Sequence, residues 1–431
     1  MQDWNKLPVA RWAESLRIGA DVRSVIEFLE LQGTFRFPRL PNGLFSASAS
    51  DAEGFAETGY QHIWVRDNMH IAHAHLVIGK PEVAVRCVRT LLDYFAKHRH
   101  RLTTIDAADI DYSDPMNRPH IRFDGRTLGE LEEKWAHAQN DALGYFVWLT
   151  SRLARLGHLE LTEADRDIVV DIVRFWDKVK FWEDEDSGHW EENRKISASS
   201  IGVALAGLRE LDRYLGEEER APVLQSVLSR LMDEGGQALD RILPAECIQE
   251  DPSKNRRYDS ALLFLIYPME IVSDPIADRI ISDVEEHLMG PIGIRRYLGD
   301  SYWCADYRTL LASDQRTADF SDSLDARNAL LKPGMEAQWC IFDPIISVIY
   351  GRRYEKSRQP KDLDRQRYFL GRAFGQLTTA DSRFGAWKLP ESYFCERGEW
   401  IPNDITPLLW TQANVRLALE QMAVSLEPRN G

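Results

Sequence analysis

The sequence predicts an all-α protein in which about twelve helices form a double ring. Clean apolar–polar alternation is scarce, so little β-sheet is expected. Many segments instead carry apolar residues at helical spacing, and six of them are apolar nearly all round. One amphipathic stripe consists of Ile201, Leu205, Leu208, Leu211 and Leu215.

The six apolar segments are predicted to be inner helices, because a helix that is apolar on every side must be buried. Their starts lie 73, 59, 59, 80 and 68 residues apart, which leaves room for one further helix and two loops each time. The first of these further helices is expected to begin at Pro81, since proline suits the first turn of a helix. The predicted inner helices begin near Asp67, Asn140, Ser199, Tyr258, Gln338 and Thr406.

Inner helices followed by amphipathic ones favour a closed ring, in which the polar N-terminal ends of the inner helices meet at one mouth. A solenoid of helical hairpins is the alternative, but solenoid repeats usually share a residue consensus, and these share only an apolar pattern. No low-complexity or Ser/Gly-rich linker divides the 431 residues. We therefore predict one domain over residues 1–431, with residues 1–40 as a peripheral N-terminal helical segment.

Composition limits the partners of the chain. A net charge of −15 disfavours nucleic acid, because an acidic surface repels phosphates. No apolar run reaches the roughly 18 residues that span a bilayer, and the N-terminal residues are too interrupted by charge for a signal peptide. Five cysteines are scattered without CxxC pairs, which favours a reducing compartment. We expect a cytoplasmic protein without nucleic-acid or membrane partners; the sequence does not indicate its oligomeric state.

Four stretches combine aromatic residues with polar and charged ones where loops are predicted to meet inner helices: residues 60–67, 135–141, 190–200 and 388–393. Sugars have apolar ring faces that stack on Trp and Tyr, and hydroxyl rims that bond to Asp, Glu, Arg, Gln and His. No phosphate-binding glycine loop is present, and no cofactor is expected. The clusters therefore predict a pocket for a small carbohydrate.

Two glutamates are candidates for the carboxyl pair that most glycosidases need. Glu191 lies between Trp190 and Glu192, and both neighbours favour its protonated form, as a general acid requires. Glu391 follows Pro390 in the other half of the chain and suits the general base; Glu396 and Glu399 lie close enough to be alternatives.

The order and spacing of the clusters over about residues 40–425 resemble family 15 of the glycoside hydrolases, the glucoamylase-like family. Trp64-Val-Arg66-Asp67 is similar to its W-x-R-D element, Trp135…Gln139-x-Asp141 to its W-x3-Q-x-D element, and Trp190-Glu191-Glu192 to its W-E-E element. Leu389-Pro390-Glu391 resembles its base segment. Within the same group, four segments resemble the N-terminal region of phosphorylase kinase α and β regulatory subunits: Gly293–Asp300, Glu336-Ala-Gln-Trp339, Ser197–Gly202 and Ile401-Pro402…Trp410-Thr-Gln412.

The resemblance implies an (α/α)6 barrel and inverting, exo-acting hydrolysis of a terminal α-glucosidic bond. It assigns the general acid to Glu191 and the general base to Glu391. The expected substrate-binding residues are Trp64, Arg66, Asp67, Trp135, His137, Gln139, Asp141, Trp190, Glu192, Glu336 and Trp339. The likeness to kinase subunits leaves a second hypothesis open, a sugar-binding regulatory module without turnover; a helical scaffold without a pocket is a third.

Structural alternatives exist for single motifs. Arg66-Asp67 could be an ion pair at a helix start, and Glu191-Glu192 part of a solvated acidic loop. His70, His73 and His75 have a spacing that could place two rings on one helix face, but no carboxylate or Cys partner stands at ligand spacing. We predict that these histidines form hydrogen bonds in the core or in the pocket, and we predict no metal site.

Overall fold

The structure is a computed structural model that describes residue 4 and residues 8–49, 58–104, 110–217, 222–321 and 323–427. This part of the chain is mostly helical, as the periodicity predicted. Its helices are α1 (Trp12–Ser15), α2 (Gly19–Leu31), α3 (Val65–Val77), α4 (Pro81–Lys97), α5 (His100–Thr103), α6 (Asn140–Arg155), α7 (Glu163–Val179), α8 (Ala198–Glu217), α9 (Pro222–Ile242), α10 (Leu263–Ile266), α11 (Asp274–Asp283), α12 (Tyr307–Leu310), α13 (Asp325–Asn328), α14 (Phe342–Ser357), α15 (Pro360–Gly375) and α16 (Leu409–Leu426).

The inner ring consists of α3, α6, α8, α10, α14 and α16. Each of these helices contacts the next one, and α16 contacts α3, which closes the ring. This closure confirms the double ring and excludes the solenoid, in which the last repeat does not meet the first. An outer helix packs on each member: α4 on α3, α7 on α6, α9 on α8, α11 on α10, α15 on α14 and α2 on α16.

The N-terminal segment takes part in this arrangement. Its helix α2 packs on α16, and Val22, Val25 and Leu29 are fully buried. In the part of the chain that the structure describes, none of the helices has the length and apolar composition needed to cross a bilayer.

The fourth inner helix is shorter than the sequence predicted. An apolar helix was expected over residues 258–267, but the structure has a 3₁₀ turn at Ser260–Leu262 and four residues of α10. At the start of the segment, Asp259 is extended, with φ −150° and ψ 132°, and its side chain accepts from the Ala261 backbone nitrogen, so the first turn is 3₁₀. At its end, Pro268 has no N–H and disfavours helical backbone in the residue before it. Tyr267 is accordingly extended, with φ −146° and ψ 128°.

Two small antiparallel sheets stand at the ends of the inner helices. The first contains β1 (Ile63–Trp64), β2 (Arg122–Asp124) and β3 (Gly129–Glu130), and the second β4 (Gln338–Trp339), β5 (Ser392–Glu396) and β6 (Glu399–Pro402). Trp64 pairs with Arg122, and Trp339 pairs with Ser392, the residue that follows Glu391. The second sheet therefore brings two regions about fifty residues apart in sequence to the same place.

The three histidines of α3 have partners in the core. The ring of His70 stacks on Trp410 at 4.4 Å, His73 Nε2 lies 3.1 Å from the Tyr267 hydroxyl, and His75 Nδ1 lies 2.8 Å from the Ile71 carbonyl oxygen. Burial lowers the pKa of His73 to about 3. No cluster of three or more potential metal ligands occurs in the described residues. His73 and His75 thus form hydrogen bonds as predicted, while the absence of a metal stays a prediction.

The backbones of helices α6 and α8 lie in direct contact at their glycines. A Cβ atom on Gly144 would lie 2.7 Å from the backbone nitrogen of Ala204, and one on Gly207 would lie 2.9 Å from the Gly144 carbonyl oxygen. We expect Gly144→Ala to lower the free energy of unfolding by about 1–3 kcal/mol, because backbone cannot move aside as a side chain can. Urea unfolding followed by circular dichroism measures this change.

The matched control is Gly236→Ala, which lies within α9 and would place its methyl group in open space. Alanine is the better helix former, so this variant should gain about 0.5–1 kcal/mol. A neutral or stabilising Gly144→Ala would show that α6 and α8 can separate without cost.

Candidate active site

One cavity lies where the loops meet the inner helices. It contains both candidate catalytic carboxyls, Glu191 and Glu391, although they are two hundred positions apart in sequence. Of the other predicted site residues, the cavity is lined by Trp64, Arg66, Asp67, Trp135, Trp190 and Trp339.

Glu191 follows the 3₁₀ turn Gly188–Trp190 and has a positive φ of 57°. Its Oε1 accepts three hydrogen bonds, from Trp64 Nε1 at 2.8 Å, Arg66 Nη2 at 3.1 Å and Gln139 Nε2 at 3.3 Å. Burial raises the pKa of Glu191, although Arg66 opposes this shift. Because donors occupy Oε1, a proton on this carboxyl belongs on Oε2, which leaves the group able to donate.

Glu391 is buried and stands immediately before β5. Its Oε1 accepts from the Tyr60 hydroxyl at 2.7 Å, and its Oε2 accepts from Asn403 Nδ2 at 2.6 Å and from the more distant Tyr302 hydroxyl at 3.4 Å. Burial raises its pKa to about 7, while the bonds from Tyr60 and Asn403 oppose the shift. A buried carboxylate that only accepts from neutral donors is equipped to take a proton.

Arg66 and Asp67 lie in the first turn of α3 and both line the cavity. Arg66 Nη1 donates to Gln139 Oε1 at 2.6 Å and to Asp141 Oδ2 at 3.1 Å, so it joins the start of α6 to the Glu191 carboxyl. Burial raises the pKa of Asp67 to about 7, against the attraction of Arg66. Arg66 pairs with Asp141 and Glu191 rather than with its neighbour Asp67, so the ion pair considered from sequence is not the one that the structure has.

Glu192 is completely buried and is not among the residues that line the cavity. It accepts from Arg327 Nη2 at 2.6 Å, from Arg296 Nη2 at 3.0 Å and from Arg256 Nη2 at 3.2 Å. These three guanidinium groups outweigh desolvation and hold its pKa well below the ordinary range. Two of its partners, Arg296 and Arg327, line the cavity, so Glu192 acts on the cavity through them.

Four other predicted residues also lie behind the cavity wall. Gln139 and Asp141 support Arg66, as described above. His137 stacks on His120, with ring centroids 3.8 Å apart, and its Nδ1 accepts from the Ile121 backbone. Glu336 accepts from the Gly299 backbone at 2.9 Å and pairs with Arg295.

Aromatic side chains form much of the cavity wall. The Trp190 indole is fixed because its Nε1 donates to Asp259 at 2.9 Å. The guanidinium of Arg296 lies 5.2 Å from the Trp190 ring and 5.0 Å from the Trp339 ring. Each cavity-lining arginine is also paired with a carboxylate: Arg66 with Asp141 and Glu191, Arg296 with Asp300 and Glu192, and Arg327 with Glu192. Such a wall suits an uncharged ligand with apolar faces and hydroxyl groups.

Several functional positions escaped the sequence analysis. Arg296 lies in the segment Gly293–Asp300, whose resemblance to kinase subunits was the available signal. Asn403 lies in the segment Ile401–Gln412, for which the same resemblance was the signal. Tyr302 and the cavity-lining segment Thr317–Phe320 stand in loops, and Arg327 lies in the four-residue helix α13, where helical periodicity predicts nothing.

Comparison with known proteins finds similarity in sequence and in fold. The sequence profile described as glycosyl hydrolases family 15 matches residues 34–267. A probable phosphorylase b kinase regulatory subunit alpha from Caenorhabditis elegans is 23% identical over 409 residues, which cover 82% of this chain but 30% of that protein. Among solved structures, a glycosidase variant in complex with glucose is similar with a TM-score of 0.61 and 17% identity, over 99% of this chain and 100% of that one. A glucoamylase from Saccharomycopsis fibuligera is similar with a TM-score of 0.63 and 13% identity, over 95% and 97%.

Proposed function

The chain belongs to glycosyl hydrolase family 15, and on that basis we propose that it hydrolyses the terminal α-glucosidic bond of a short α-glucoside or oligosaccharide. The observation that carries the proposal is the presence of Glu191 and Glu391 in one cavity with complementary hydrogen bonds. Donors occupy Oε1 of Glu191 and leave Oε2 for a proton, whereas Glu391 accepts from neutral donors only. An acid and a base facing one space are the minimum equipment for this reaction.

In the proposed mechanism, Glu191 gives its proton to the glycosidic oxygen as the bond from this oxygen to the anomeric carbon breaks. Glu391 takes a proton from water, whose oxygen forms the new bond to that carbon from the opposite face. The products are the freed alcohol and glucose of inverted configuration. Exchange of one proton from Glu391 to Glu191 through solvent restores the starting state.

The proposed ligand contacts follow from the cavity wall. Asp67, Arg66 and Arg296 would bond to the hydroxyls of the terminal glucose, and Trp64, Trp135, Trp190 and Trp339 would contact its ring faces. His137, Gln139, Asp141, Glu192 and Glu336 would hold these groups in place. The five cysteines are free thiols, which supports the proposed cytoplasmic location.

A glucose-release screen over maltose, isomaltose, trehalose and dextrin tests the proposal. Proton NMR recorded immediately after mixing identifies the anomer formed: β-glucose supports inversion, and α-glucose contradicts it. Wild-type protein that releases no glucose from any α-glucoside would refute the hydrolase.

The second candidate is a sugar-binding regulatory module, which the kinase-subunit relative favours. The chain spans less than a third of that relative, so nothing about the whole kinase subunit transfers to it directly. This candidate predicts that calorimetry detects saccharide binding to a protein that releases no glucose.

A further inference from the structure

The turn that follows β6 lies directly behind the proposed base. Asn403 is completely buried in this turn, and its backbone nitrogen donates to the Ser392 carbonyl oxygen at 3.0 Å, next to Glu391. The Glu391 backbone nitrogen in turn donates to the Ile405 carbonyl oxygen at 3.0 Å. These backbone bonds hold the main chain at Asn403 close to the main chain at Glu391, which places the two side chains within reach of each other.

The orientation of the Asn403 amide is determined by its neighbours. Its Oδ1 lies 3.2 Å from the Ile405 backbone nitrogen, which can only donate. The oxygen of the amide must therefore face Ile405, and the NH₂ group must face Glu391 Oε2 at 2.6 Å. Asn403 is thus a donor to Glu391, and a donor favours the ionised carboxylate over the acid.

The two short hydrogen bonds also fix the plane of the carboxyl group, since Tyr60 contacts Oε1 and Asn403 contacts Oε2. A carboxylate oxygen can accept two hydrogen bonds, so Oε1 keeps room for a water molecule. The other groups facing Glu391 are the Tyr302 hydroxyl and the Cys340 thiol, with Arg296, which favours its charge, and Asp67, which opposes it.

We propose that Asn403 is a positioning residue for the general base: its amide favours the ionised form of Glu391 and holds the carboxyl group in one orientation. This inference rests on the proposed hydrolase function. The test is Asn403→Asp, which keeps an oxygen for the Ile405 nitrogen but replaces the donor to Glu391 with a second carboxyl. Two adjacent carboxyls cannot both ionise freely, so the pair retains a proton to higher pH.

The readout is the pH dependence of kcat/KM. The base must be ionised, so kcat/KM falls as the pH drops through the pKa of Glu391. This fall on the acidic side of the profile, the acid limb, is expected near pH 7 in the wild type. In Asn403→Asp this limb should move up by about 1–2 pH units, which lowers kcat/KM at pH 6 by about 10- to 100-fold with partial recovery at high pH. Asn403→Ser, which can still accept from Ile405 but is too short to reach Glu391, should shift the limb in the same direction by less.

The matched control is Asn414→Asp. Asn414 is equally buried, and its Nδ2 donates to the Ile341 carbonyl oxygen instead of to Glu391. This variant should lose thermal stability but keep the position of the acid limb. An active Asn403→Asp whose acid limb coincides with that of the wild type would overturn the inference.

A double-mutant cycle makes the test independent of turnover. At pH 8, Asn403→Asp should lower the Tm more when Glu391 is present than in the Glu391→Gln background, because only the former places two ionisable carboxyls against each other. Equal losses in both backgrounds would overturn the inference. If the wild type is inactive but the Tm cycle shows coupling between positions 403 and 391, the hydrolase proposal is refuted, while the contact between Asn403 and Glu391 is supported.

Discussion

Replacing Glu191 with Gln is expected to lower kcat on an α-glucoside by about 10²- to 10⁴-fold, the range that general acid catalysis contributes. The introduced amide retains an oxygen for the donors Trp64 and Arg66 but has no acidic proton for the leaving oxygen. Binding contacts are largely kept, so KM should change little. Steady-state release of glucose from the best substrate of the screen measures both constants.

The control for this variant is a substrate with a good leaving group. Fluoride leaves α-glucosyl fluoride without needing a proton, so Glu191→Gln should turn over this compound far better than it does a natural glucoside. Full activity of Glu191→Gln on every α-glucoside tested would contradict its assignment as the acid.

The second large effect is expected from Glu391→Gln. This substitution should lower kcat by about 10²- to 10⁴-fold both on natural α-glucosides and on α-glucosyl fluoride. Activation of water is required whichever group leaves, so a good leaving group should not rescue this variant. The contrast between the two variants on α-glucosyl fluoride therefore distinguishes the base from the acid.

Glu399→Gln is the matched control for the base. Glu399 is exposed on β6, and neither it nor Glu396 lines the cavity; Glu396 is instead paired with Arg308 at 2.6 Å. Activity of Glu399→Gln should equal that of the wild type. A large loss there, with Glu391→Gln active, would show that the base had been assigned to the wrong glutamate.

Much of the fold could be predicted because the spacing of apolar residues along a helix indicates which of its faces are buried. Residues Val65–His75 of α3 are all buried, and so are Asn140–Ser151 of α6, as expected of segments that are apolar nearly all round. The same pattern overestimated α10, because the apolar run over residues 258–267 begins with a capped 3₁₀ turn and has only four α-helical residues before Pro268. Periodicity measures burial and does not by itself measure helix length.

The candidate site was predictable only where its residues are close in sequence. Trp64, Arg66 and Asp67 stand together in the chain, and their side chains line the same cavity. For Glu192 the sequence indicated a substrate contact, whereas three arginines from distant segments surround it. No local sequence pattern predicts such a cluster, because the partners of Glu192 are 64, 104 and 135 residues away.

The sequence by itself determined the class of the fold, the number of inner helical segments and the two glutamates that are candidates for acid and base. It could do so because residue type and helical spacing are local properties. Only the tertiary structure decided which side chains face the cavity and which hold others in place. Asn403 shows the reason: its amide meets Glu391 because a turn and two backbone hydrogen bonds bring them together. Such a contact depends on how the closed ring positions its loops. Loops, unlike helices, have no periodic residue pattern from which their geometry could be predicted.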